Sequence, residues 1–221
     1  MIRKFGLVVF LLVFVSVSFS VPTIISVSGK VNVENNIVNV SSFTLSWENN
    51  SPAQCYKVEQ KVGDDGVWDN HYENGTGIPL VSDPTKSLDF TGKADKKYWY
   101  RVSSVNVACS PSVIFSDDPS PAKYIIIDTS SPVVVSKSPL GVEEEFSGLV
   151  SVGFDEEMNE SASFLEGDNG LVLTNKVWSD SGKTLTYNYE GKQGTNYTVS
   201  IHGVDLAGNT VNDALQFATL I

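Results

Sequence analysis

A run of strict alternation, Tyr197-Thr198-Val199-Ser200-Ile201, constrains this chain more than any other feature. Apolar side chains at every second position share a face only on an extended backbone, so the segment is a strand with one buried side. It leads into Asp205-Leu206-Ala207-Gly208-Asn209, where Asp205 and Asn209 offer side-chain caps and Gly208 accepts positive φ. A second apolar run, Val211 to Leu220, returns. The pattern predicts a hairpin, placed at the edge of a β-sandwich, with Asp205, Gly208 and Asn209 as turn residues.

The same grammar recurs along the chain. Phe43, Leu45 and Trp47 alternate with polar neighbours, as do Tyr56 and Val58, Leu88 and Phe90, and Tyr98, Tyr100 and Val102. In the second half, Val150, Val152 and Phe154 alternate, then Leu185, Tyr187 and Tyr189. Turn clusters such as Gly63-Asp64-Asp65-Gly66 and Ser179-Asp180-Ser181-Gly182 separate the runs. Many short strands at such spacing predict an all-β chain of sandwiches or barrels. One helical turn at Met158 to Phe164 is the exception considered. Asp128-Thr129-Ser130-Ser131-Pro132 marks the expected boundary, because Pro132 cannot donate to a ladder and breaks the chain between strands of different sheets. The division is therefore 1–20, 21–128 and 129–221.

Residues 1–20 stand apart. Arg3 and Lys4 precede an almost wholly apolar stretch, Leu7 to Val17, and Ser18 and Ser20 supply small residues before Val21. That is the pattern of a secretory signal peptide. The alternative is an uncleaved membrane anchor, although the stretch is shorter than the ~20 residues that span a bilayer. Cleavage would remove two basic residues and no acidic one, leaving the remainder more acidic than the whole chain's −11. Such a charge repels nucleic acid and anionic lipid, so neither partner is expected. The membrane enters only through the first segment, if that segment is retained. The acidity serves solubility, and acidic side chains could also ligate calcium. The two cysteines, Cys55 and Cys109, are an even pair, for which an exported chain favours a bridge over free thiols.

Two resemblances follow from these residues. Residues 22–128 resemble a fibronectin type III domain through Phe43-Thr-Leu-Ser-Trp47-Glu48 as strand B, Tyr56-Lys-Val58-Glu59 as strand C, and Tyr98-Trp-Tyr-Arg-Val102 as strand F. The cysteine pair departs from that family. Residues 129–221 resemble the Ig-like modules of bacterial surface-layer and other cell-surface proteins through Ser138-Pro139, Val150-Ser-Val-Gly-Phe154-Asp-Glu-Glu-Met158, Thr184-Leu-Thr-Tyr187 and Tyr197 through Asn209. The resemblances imply two Greek-key immunoglobulin-like sandwiches in tandem. They place Cys55 at the start of strand C and Cys109 at the end of strand F, so a disulfide between them would close a loop and stabilise by about 4 kcal/mol. They also make Trp47 a core residue and Tyr98 and Tyr197 tyrosine corners, with ordinary core tyrosines as the alternative.

Chemistry-bearing patterns are sparse. His71 and His202 fall in different halves, Gly-x-Ser-x-Gly does not occur, and no Gly-rich phosphate loop is present. Glu143-Glu144-Glu145 and Asp155-Glu156-Glu157 read as solvated charge runs without the spacing of a calcium loop. No catalytic residue, metal or cofactor is assigned. Trp99 and Trp178 are the candidate ligand contacts, as a sugar-stacking platform or as packing under a loop. The expectation is an exported, non-enzymatic structural or adhesion-type protein whose partners are other envelope or extracellular proteins, or polysaccharide. The alternative is a carbohydrate-binding accessory module of an extracellular enzyme system.

Overall fold

The computed structural model describes residues 23–28, 31–32, 36–48, 55–70, 80–82, 86–105 and 120–220. Among them every regular element is a strand, and no helix is long and apolar enough to cross a membrane. The first twenty residues and Cys109 lie outside the described residues, as does the Cys55 side chain, and with them the expected signal peptide and disulfide.

The first half holds two sheets. One runs in the order β1 (Thr23–Ser28), β4 (Phe43–Glu48), β8 (Ser87–Phe90). The other runs β2 (Val31–Asn32), β3 (Ile37–Val38), β10 (Lys123–Ile127), β9 (Lys97–Val105), β5 (Cys55–Val62), β6 (Asp69–Asn70), with β7 (Leu80–Ser82) also on β5. Their inward faces supply one core. Phe43, Leu45 and Trp47 of β4 meet Tyr56 and Val58 of β5 and Tyr98, Tyr100 and Val102 of β9. Trp47 lies edge-on to Tyr56 at 5.4 Å between ring centroids, and Phe90 stacks on Phe43 at 5.0 Å. Such pairs add about 0.5–1.5 kcal/mol each beyond burial. Tyr100 keeps its hydroxyl satisfied by donating to Gln60 Oε1 at 2.9 Å.

The second half repeats the plan. One sheet runs β11 (Val134–Ser138), β13 (Ser147–Phe154), β16 (Thr184–Glu190), β15 (Val172–Ser179). The facing sheet runs β12 (Gly141–Glu143), β18 (Thr210–Thr219), β17 (Asn196–Val204), β14 (Phe164–Gly167). The core between them takes Val150, Val152 and Phe154 from one side and Tyr197, Val199, Ile201, Leu215 and Phe217 from the other. The two cores share no residue. In each half a short early strand lies parallel to the last one: β3 beside β10, and β12 beside β18. In the second half the chain changes sheets between β11 and β12 through the cis Ser138–Pro139 bond.

One expectation changes. The β17–β18 hairpin is not an edge: β14 and β12 flank it, so both of its strands are inner strands. That follows from β18, whose Leu215, Phe217 and Thr219 are buried and whose outer side is covered by the three residues of β12. Residues 158–164 hold a single turn and no longer helix: Asn159 O accepts Ala162 N at 3.1 Å and Ser163 N at 3.0 Å. Asn159 Oδ1 caps that turn by accepting from Ser161 N and Ala162 N, each at 3.2 Å. β15 is irregular. Its register against β16 shifts between Thr174 and Val177, and Asn175 there adopts φ 53°.

Candidate functional site

The boundary segment and the turn that opened the sequence reading meet in space. Asp205 directly follows β17 and is fully buried. Its Oδ1 accepts Gly208 N at 2.6 Å and Asn209 N at 2.8 Å, and its Oδ2 accepts Asn209 Nδ2 at 2.8 Å. Gly208 holds φ 93°, which a side chain would resist. Asn209 Nδ2 also donates to the backbone carbonyl of Asp128 at 3.0 Å, which joins the turn to the end of the first half. From the other side, Asp95 accepts Thr129 Oγ1 and Ser130 Oγ, both at 2.8 Å. Asp155 Oδ1 accepts Val133 N at 2.7 Å. The linker is thus held at both ends by hydrogen bonds to carboxylates.

These contacts bring three carboxylates together. Asp128 follows β10, Glu156 follows β13 by two residues, and Asp205 follows β17. One oxygen from each lies within 4.8 Å of the others. The sequence reading missed this group, taking Glu156 as one of a solvated run and Asp128 as a boundary marker. Only Asp155 and Glu157 of that run are exposed, whereas Glu156 is half-buried. Burial, then the charges of Asp128, Asp205 and Asp155, push the Glu156 carboxyl up to about 7, with Lys183 opposing. Burial likewise raises Asp128, reinforced by Asp205 and Asp95 and opposed by the Ser130 N–H. Among the described residues these three alone could gather on one cation, and an all-oxygen set suits calcium or magnesium rather than zinc. The available signal was positional: all three stand where a strand ends beside the boundary.

Trp99 lies on the opposite kind of surface, the outer face of the sheet containing β5, β9 and β10. Its cross-strand neighbours are Lys61 and Tyr124. Lys61 Nζ stands 5.5 Å from the Trp99 ring and 5.7 Å from that of Trp68. Lys97 Nζ stands 4.8 Å from the Trp99 ring and 4.5 Å from Tyr124. The Arg101 guanidinium covers Trp68 at 4.4 Å. Trp99 Nε1 donates to Asp64 Oδ1 at 2.9 Å, and Lys97 Nζ reaches the same oxygen at 2.8 Å. Those two hydrogen bonds hold the Asp64 carboxyl below its ordinary range. At Glu59, burial raises the carboxyl, but hydrogen bonds from Arg101 and Lys57 outweigh it and leave a net lowering.

Trp178 does not join this surface. It is half-buried against the second core, 6.1 Å from Phe154, with its Nε1 enclosed and without a hydrogen-bond partner. The extra residue in β15 is the reason, because it reverses the phase of the strand and turns Trp178 inward while Val177 faces out. Trp47 is buried in the first core. Tyr98 donates its hydroxyl to Ala94 O at 3.1 Å. The Tyr197 hydroxyl accepts Lys192 N and donates to Lys192 O at 3.3 Å. A Cβ on Gly191 would stand only 2.8 Å from that hydroxyl, so the small residue makes room for the ring. Comparison with protein-family models and with curated proteins finds no match to this chain.

Proposed function

We propose that the protein is an exported, non-enzymatic structural or adhesion-type component of the cell surface or extracellular space. It is built of a fibronectin type III-like module, 21–128, and a bacterial Ig-like module, 129–221. The single observation that carries this reading is the tied junction. Asn209 reaches Asp128, and Asp95 reaches Thr129 and Ser130. Two sandwiches joined so closely transmit position from one to the other, as a spacer must, rather than moving as beads on a flexible tether. The strand pairing supports the module assignment: β4, β5 and β9 are the strands that the resemblance labels B, C and F, and β5 pairs antiparallel with β9.

Labelling intact producing cells with a membrane-impermeant amine reagent tests the location. The protein should be modified on whole cells or recovered from the medium, and recovery only from the cytoplasm would overturn the reading. The second reading, a carbohydrate-binding accessory module, draws on Trp99, whose ring lies half-exposed among cations on an open sheet face.

A further inference from the structure

The outer face of the sheet around β9 differs in charge from the rest of the molecule. The chain carries a net charge of −11 and has 15 basic residues in all. Lys57, Lys61, Lys97 and Arg101 sit together on this one face, against the acids Glu59 and Asp64. Its rings and cations alternate without a gap: Arg101 over Trp68, Lys61 between Trp68 and Trp99, Lys97 between Trp99 and Tyr124. The ladder crosses three adjacent strands, roughly 10 Å at their usual spacing. The fold does not require it. The corresponding outward positions of β14, β17 and β18, namely Glu166, Thr198, Ser200, Ala214 and Gln216, carry no lysine or arginine.

We propose that this face binds an acidic polysaccharide, an inference that rests on the reading of the protein as extracellular. Asp64 displays the geometry. Its side chain is 64% exposed, yet it places one carboxylate oxygen on both Lys97 Nζ and Trp99 Nε1. A uronate carboxylate entering from solvent displaces the exposed Asp64 side chain and takes that same pair of donors, with Lys61 beside it, while the C–H face of its sugar ring lies on Trp99 or Tyr124. Neutral glycans have no use for the surplus of cations. Nucleic acid also combines stacking with cations, but the group already seated on this donor pair is a carboxylate, which a uronate reproduces and a phosphodiester does not.

The test is titration of the full protein with polygalacturonate, dextran and single-stranded poly(dT) at low salt. Polygalacturonate binds, dextran does not, and binding weakens steeply as salt rises. Trp99→Ala and Lys97→Gln each weaken it about tenfold, whereas Lys192→Gln in the second half leaves it unchanged. Should Trp99→Ala fail to fold, Lys97→Gln, which removes one partly exposed amine, carries the comparison alone. No binding to polygalacturonate, equal binding to dextran, tighter binding to poly(dT), or indifference to both variants overturns the proposal. Cell labelling and glycan titration are separate readouts, so a cytoplasmic protein that binds polygalacturonate sinks the location alone, and an exported protein that ignores it sinks the partner alone.

Discussion

The two halves carry equal loads of acid and treat them in opposite ways. Of the 26 acidic residues, as many precede Thr129 as follow it, but only Lys137, Lys176, Lys183 and Lys192 supply cations to the second half. In the first half, Glu59 and Asp64 are pinned by Arg101, Lys57 and Lys97, and their carboxyls are held below the ordinary range. At the junction, Asp128 and Glu156 crowd against buried Asp205 and are pushed up. A shared sandwich plan leaves the surface free to differ. In one half charge is used to build a cationic face, and in the other backbone N–H groups and an amide take the place of cations around a buried carboxylate.

The comparison breaks most visibly at Asp205. Asp205→Ala removes a buried acceptor for three donors and should cost about 2–3 kcal/mol, read as a loss in urea unfolding of the second half. Asp64→Ala, whose carboxylate is open to water, should leave the unfolding of the first half nearly unmoved. Equal effects would mean that burial does not separate the two acids.

A smaller effect separates the two tyrosines. Tyr197 makes two backbone contacts, both with Lys192, and Tyr98 one, with Ala94. Tyr197→Phe should therefore cost about 1–1.5 kcal/mol and Tyr98→Phe about 0.5–1 kcal/mol, measured by the same urea curves. A reversed order would show that the second contact at Tyr197 contributes nothing.

The smallest effect is pH-dependent. Because the folded-state carboxyl of Glu156 lies above its ordinary value, the folded protein binds that proton more tightly than the unfolded chain. Its contribution to stability is present below about pH 4.5 and is lost as pH rises toward about 7. With a chelator present, Glu156→Gln should raise Tm by about 2 °C at pH 8, after allowance for solvent screening, and leave it unchanged at pH 4. A gain that is the same at both values would show that the crowding of charge is not its source.

The strands of the cores were legible because alternation is local: Phe43, Leu45 and Trp47, or Tyr197, Val199 and Ile201, announce their buried face within five residues. The neighbours of the hairpin were not, because β12 and β14 are three and four residues long, too short to show a period. The acidic junction was hidden for a different reason. Asp128, Glu156 and Asp205 are brought together only by strand ends from three parts of the chain, and no spacing in the sequence encodes that. Trp99 stood out in the sequence as a candidate ligand contact, but its partners depended on register, which sets Lys61 and Tyr124 beside it. The inward placement of Trp178 was hidden because a single inserted residue in β15 changes which side it faces.

That inserted residue also bears on what the chain avoids. β15 is an outer strand with Val172 and Val177 open to solvent, and an unbroken edge of this kind is a template on which a foreign strand can add. The left-handed turn at Asn175 interrupts the row of backbone groups, and Lys176 folds back to donate to Glu160 O and Ser163 O, placing a cation across the gap. The outer strand is thereby kept from offering a continuous template for strand addition, and a deletion that straightened β15 would put solubility at risk before it touched the fold.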